Sequence, residues 1–284
     1  MSHLLEPFAY GFMRDALWVG TAVAVMCAVL SCFLVLRGWA LMGDALAHAV
    51  LPGIVLAYLA GLPLILGAFI AGVGCSSAIG FIREHSRIRA DTVMGVVFTG
   101  MFAFGLVLFS RTPSDLHLDH ILVGSILGIP RAEMWRALII SVAVVVPVLL
   151  LRRDLLVVCF DAAQARVLAL RSRLLDQLLL ALLAMAVVGA LQAVGIILVV
   201  AMLVTPGSIG RLWADRFDRM LCIAVASAAF STVTGILISF HIKGSSSACI
   251  VLMQALIFVI SLVAAPKHGL LAMRQAAKGL PAGG

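Results

Sequence analysis

Seven stretches of this chain contain no charged residue at all: Ala16–Leu36, Leu62–Ile82, Thr92–Ser110, Ala137–Leu151, Gln177–Gly210, Met220–Phe240 and Gly244–Pro266. An eighth, Trp39–Ala60, is equally apolar but carries Asp44 and His48. A helical membrane span needs about 20 apolar residues, so runs of this length predict an all-α, polytopic membrane helix bundle. The 284 residues are nearly consumed by them, which leaves no room for a soluble catalytic domain. Composition agrees. Hydrophobic residues make up 63% and charged residues 12%, against roughly 45–50% and 25% in soluble domains. A disordered chain, a disulfide scaffold and a soluble enzyme are excluded. The first run is too long for a signal-peptide core and is not followed by a cleavage-like site, so it reads as a retained span.

Gln177–Gly210 does not fit the simple count. Its 34 residues would make a helix of about 51 Å, longer than the ~30 Å hydrocarbon core and shorter than two full spans. Gln192 and Gly195 lie in its middle and Pro206 near its end. The positive-inside rule helps to choose. If the segment crosses once, the 20 cations divide equally between the two sides; if it turns back, 15 fall on one side and 5 on the other. The second division predicts a broken or re-entrant segment, eight to nine spans in all, and a cytoplasmic side holding the loops after Leu36, Ile82, Leu151 and Gly210 together with the C-terminal tail.

The net charge of +7 does not signal nucleic-acid binding, because Arg37, Arg83, Arg152, Arg153, Arg211 and Lys267 flank apolar runs, where topology-setting cations belong. The six cysteines are scattered and form no CxxC, so neither a zinc knuckle nor a redox motif is present. Small residues at helical spacing, Ala68, Gly72, Ser76 and Gly80, predict close helix packing, as does Gly124 with Gly128.

Of the 13 acidic residues and seven histidines, only Asp44 and His48 lie deep in an apolar segment. Ionisable groups inside a bilayer are costly and usually face a cavity or pathway. The i, i+4 spacing puts both on one helical face. With a helix starting near Trp39, His48 falls about 13 Å along it, near the midplane. A carboxylate and a neutral imidazole on one face make half of a divalent-metal site, and two copies about a two-fold axis would make four ligands. The spacing alone leaves three readings open: passage of a metal ion, a proton relay, or a structural Asp–His pair.

The residues around this pair extend the reading. Arg37-Gly38-Trp39-Ala40-Leu41-Met42-Gly43-Asp44-Ala45-Leu46-Ala47-His48-Ala49-Val50-Leu51-Pro52-Gly53 resembles a signature of bacterial ABC permeases for manganese, iron and zinc. Asp91–Phe98, the outer-loop block His117–Gly124, Leu191–Leu203 and Pro266–Leu271 resemble further blocks of that family in the same order. The outer-loop block looks most like its manganese and iron members. The resemblance covers nearly the whole chain, and it implies a single permease domain over residues 1–284 in the bacterial cytoplasmic (inner) membrane. It also implies pairing with a second permease, identical or a sister chain, two cytoplasmic ATPase subunits, and an extracytoplasmic metal-binding protein. The family's gate carboxylate and histidine fall on Asp44 and His48. The cargo would be Mn2+ or Fe2+, or else Zn2+, with no permanently bound cofactor.

An ATPase engine elsewhere suits the chain itself, which has no GxxxxGK[ST] phosphate loop; Lys243-Gly244-Ser245 lacks the upstream glycine. The 152–176 loop holds five arginines, and within it Asp161-Ala162-Ala163-Gln164 has capping-box form with Asp at the cap. A short helix through Ala165, Arg166, Val167 and Leu168 would follow. It resembles the family's ATPase-coupling helix, so the contact residues would be Asp161, Gln164, Ala165, Arg166 and Leu168; Ala169 departs from the glycine usual there. His117, Asp119 and His120 form a metal-friendly cluster that could equally be a polar mouth or a face for the binding protein. Gln192 reads as a hydrogen-bonding group at a helix break. The competing classes are an intramembrane hydrolase, for which no HExxH, GxSxG or second deep acid is present, and a channel or proton-coupled carrier that does not use ATP.

Overall fold

The computed structural model describes residues 10–39, 41–111, 128–160, 172–265 and 269. Among these residues there is no strand. The helices, in chain order, are α1 (Gly11–Leu36), α2 (Met42–Leu59), α3 (Leu64–His85), α4 (Ala90–Arg111), α5 (Arg131–Leu150), α6 (Arg152–Phe160), α7 (Ser172–Val194), α8 (Ile196–Trp213), α9 (Phe217–Ile242) and α10 (Ser246–Ala264). Nine of them, all but the short α6, are long and apolar enough to cross a membrane.

The eight runs become nine helices because Gln177–Gly210 breaks at Gly195. That residue sits at φ 82°, ψ 164°, a combination essentially reserved for glycine. A break inside an apolar bundle frees backbone groups that water cannot satisfy. Here Ser247 of α10 reaches across and donates its hydroxyl to the carbonyl of Val194 at 2.9 Å. The two halves then serve different neighbours: α7 packs on α3 and α5, whereas α8 packs on α1, α9 and α10. Pro206 interrupts α8, and the next N–H, of Gly207, donates to the buried Ser31 hydroxyl of α1 at 2.9 Å.

α1 and α2 form the interior. In both, 72% of the span is buried, against 17% in α4. Their junction is tight because Gly38, at φ 69°, allows the chain to double back. The N–H of Gly38 donates to the Val35 carbonyl at 3.2 Å and that of Trp39 to the Leu34 carbonyl at 2.8 Å, the paired bonds of a Schellman ending. The corner at Gly38 takes up chain before the next helix, so α2 starts at Met42 rather than near Trp39.

α2 and α3 cross at their glycines: a Cβ added to Gly53 would run into the Gly67 carbonyl, and one on Gly67 into the Gly53 carbonyl. The small-residue ridge of α3 is used in part. Ala68 and Ser76 are buried, and the Gly72 Cα faces Ala184 of α7, whereas Gly80 opens onto space. Gly128 is at φ 91° with open space around it, and Gly124 lies outside the described residues.

Candidate metal gate

α2 is the helix that carries the candidate site, and its burial pattern isolates that site. Between Met42 and Val55 every residue is buried except Asp44, His48 and Leu51. Their spacing of four and three draws one narrow open stripe along an otherwise enclosed helix. The two polar residues meet on it: His48 Nε2 lies 3.3 Å from Asp44 Oδ1, with the side chains 27% and 32% exposed. Both remain reachable from outside the chain.

The later start of α2 moves the pair. Asp44 falls in the first helical turn, where the exposed N–H groups and the helix dipole favour a negative charge. His48 lies about 9 Å along the helix, a third of its length from the α1–α2 corner and not at its middle. The expected helix start near Trp39 is therefore corrected to Met42, and the cause is the chain spent on the Gly38 corner.

The surroundings of His48 are aromatic. Its ring stacks near Phe98 at 5.9 Å between centroids and meets Phe102 edge-on at 5.0 Å, both from α4. These two phenylalanines, one helical turn apart on α4, pack against the imidazole ring. Sequence reasoning did not single them out as wall residues, although Phe98 ends one of the blocks that carried the resemblance. Nδ1 of His48 is buried with no hydrogen-bond partner. Pro52, four residues on, has no N–H, so the His48 carbonyl also lacks its helical donor. Gly43, beside Asp44, abuts Leu203 of α8, which brings the broken-helix half α8 against the same end of α2.

Among the described residues, no group of three or more His, Cys, Asp and Glu side chains comes together in a way that could hold a metal. Among the described residues, Asp44 and His48 therefore stand as a pair of candidate ligands without a third. The predicted coupling residues Asp161, Gln164, Ala165, Arg166 and Leu168 lie outside the described residues, as do Ala169 and the outer-loop residues His117, Asp119 and His120. The backbone at Gln192 belongs to α7, three residues before the break. The 152–176 stretch is not loop throughout: its first nine residues form α6 and α7 begins at Ser172. At its two ends, Arg152 pairs with Asp218 of α9 at 3.1 Å, and Asp176 pairs with Arg37 at the end of α1.

A model of the ABC 3 transport family matches residues 9–265. The chain belongs to that family. It is 52% identical over 262 residues to the chelated iron transport system membrane protein YfeD of Yersinia pestis, covering 92% of this chain and 88% of that one. It is 47% identical over 269 residues to the manganese transport system membrane protein MntB of a Synechocystis species, covering 95% and 88%. The fold superposes on a chain of PsaBC from Streptococcus pneumoniae, solved in complex with Fab, with a TM-score of 0.85 and 31% identity over 96% of this chain and 99% of that one. The resemblance read from the signature blocks is thereby borne out, and the chain is a multi-pass membrane permease.

Proposed function

We propose that this permease forms the membrane path of an ATP-driven importer of divalent transition-metal ions, with manganese or ferrous iron as cargo and zinc as the runner-up. The observation that carries the reading is the Asp44–His48 pair on the single open stripe of a buried helix. The 3.3 Å between Nε2 and Oδ1 suits two ligands of one ion, since bonds near 2.1 Å place adjacent ligand atoms about 3.0–3.4 Å apart. Iron and manganese transport by the named relatives supports the choice of cargo. A carboxylate and an imidazole without a thiolate suit manganese, ferrous iron and zinc, and disfavour copper(I).

Two ligands hold an ion loosely. That is useful in a path, because binding must be strong enough to admit an ion and weak enough to release it. Waters complete the coordination, or the same pair from a second permease does, identical or a sister chain, set against the open stripe. The ion is cargo, and no resident cofactor is needed. Cytoplasmic ATPase subunits drive the cycle by docking around Asp161, Gln164, Ala165, Arg166 and Leu168 in the cytoplasmic loop within 152–176. An extracytoplasmic binding protein delivers the ion to the far face of the cytoplasmic membrane. ATP binding draws the ATPases together, the helices move, and Asp44 and His48 pass the ion inward. His48 ligates only when neutral, so acid weakens the site.

The test is uptake of labelled manganese, iron and zinc, in competition, by the permease reconstituted in vesicles with its ATPase and binding protein. The reading expects ATP-dependent uptake with manganese or iron preferred over zinc. Uptake that persists without ATP, or none of these metals moving, would sink it.

A further inference from the structure

The best-buried ion pair among the described residues lies away from the gate, at the α1–α2 corner. Arg37 caps the end of α1 and its side chain is only 11% exposed. One face of its guanidinium covers the Trp39 ring at 4.1 Å from the centroid; its Nη2 pairs with Asp176 of α7. Trp39 is itself buried and tied back to α1 by the hydrogen bond of its N–H to Leu34. Planar stacking and a directed charge contact together fix an arginine far better than either alone. The other inter-helix pair, Arg152 with Asp218, has both side chains well exposed, and pairs of that kind contribute little.

The corner leads straight to the gate. From Trp39 the chain needs only the Met42 N–H, bonded to the Trp39 carbonyl at 3.0 Å, to enter α2; Asp44 follows two residues later. Asp176 stands in the second turn of α7, whose start at Ser172 directly follows the 161–171 segment. Cys159, just before that segment at the end of α6, lies close enough for its thiol to feel the charges of both Arg37 and Asp176. Both flanks of the segment therefore converge on one ion pair. Beside it lies an open cleft of about 710 Å³, lined by Trp39, Asp176, Gln177 and, from α3, Ser76, Ser77 and Gly80. α7 and α3 touch closely at Gly72 and Ala184, so the open side of their contact lies at the Asp176 end of α7, the end that Arg37 ties to the corner.

We propose that Arg37, Asp176 and Trp39 are positioning residues of the transport cycle: the ion pair carries movement of the α6–α7 flanks into the α1–α2 corner and so to Asp44 and His48. This rests on the reading of the chain as an ATP-driven metal permease. None of the three touches the ion. Their removal uncouples hydrolysis from uptake instead of abolishing binding.

The test uses the complete transporter in vesicles, with manganese uptake and ATP hydrolysis measured on the same preparation. Asp176→Asn keeps shape and removes the charge. It is expected to assemble and hydrolyse ATP at the parental rate, with manganese moved per ATP falling about three- to tenfold, the range of a single coupling element. Arg37→Asp with Asp176→Arg restores the reversed pair and should recover part of that ratio relative to either single reversal. An unchanged ratio in Asp176→Asn overturns the link. So does a parallel loss of assembly, hydrolysis and uptake that the double reversal fails to relieve, which is the mark of a merely structural contact. Where the parental complex moves iron and not manganese, iron is the ion measured; a parental complex without ATP-driven uptake of manganese, iron or zinc overturns the functional reading and the link with it, whereas a transporting parent beside an unaltered Asp176→Asn ratio overturns the link alone.

Discussion

Gly53 of α2 and Gly67 of α3 meet backbone to backbone, each occupying the space that the other's Cβ would need. This crossing sets where α2 lies, and α2 carries both candidate metal ligands. Gly53→Ala is expected to destabilise the purified permease by about 1–3 kcal/mol, the usual range for overpacking a close-fitted contact. Gly74, on α3 with nothing within 4 Å of an added Cβ, is the control: Gly74→Ala should leave the melting temperature unchanged or raise it slightly. Equal melting temperatures for the two variants would mean that the helices do not cross here.

Asp44→Ala and His48→Ala are expected to reduce metal uptake to background while assembly with the ATPase survives. The assembly arm follows from position. Both side chains lie on the open stripe of α2, so truncating them leaves its buried faces intact; His48→Ala gives up only the ring contacts with Phe98 and Phe102. Uptake of labelled manganese, alongside co-purification of the ATPase, separates the two effects. Normal uptake by a well-expressed Asp44→Ala variant removes this pair from the ion path.

How much of this could be read from the chain depends on whether the cause is local. The charge-free runs and the excess length of Gln177–Gly210 are local, and they announced the helices and the break at Gly195. The i, i+4 spacing of Asp44 and His48 is likewise a property of one helix. The start of α2 was misplaced because a glycine just before Trp39 sets no boundary by itself; only its backbone conformation, at φ 69°, turns the chain there into a corner. Phe98 and Phe102 were hidden for a different reason. α4 is apolar on all sides, as a span bordering lipid can be, so nothing in its pattern distinguishes the face turned to His48. The pairing of Arg37 with Asp176 joins residues from opposite halves of the chain, and no spacing rule reaches that far.

The carbonyl of Val194 loses its helical partner at the Gly195 break and depends on Ser247. Ser247→Ala should therefore cost about 0.5–2 kcal/mol, the range seen for hydrogen bonds between membrane helices. Ser247→Thr keeps the hydroxyl and should recover part of this. Thermal unfolding of the purified permease reads both. A Ser247→Ala variant as stable as the parent would show that the freed carbonyl finds another donor.

Cys159 reports on the Arg37–Asp176 pair from outside the membrane spans. Burial pushes its thiol from 9.0 up to about 11, Arg37 pulls it down, and Asp176 pushes it further up. The thiolate is the reactive form, so a rise of about two pH units leaves roughly a hundredfold less of it at pH 8 than an unperturbed thiol would have. Alkylation at Cys159, followed by mass spectrometry across a pH series, should accordingly be slow and climb steeply at alkaline pH. The signs for the variants are opposite. Asp176→Asn removes a charge that disfavours the thiolate, so the midpoint moves to lower pH; Arg37→Gln removes one that favours it, so the midpoint moves higher. Because unfolding would lower the midpoint in both variants alike, opposite displacements identify the charges themselves, and a midpoint that stays fixed in Asp176→Asn would place Cys159 out of reach of the pair.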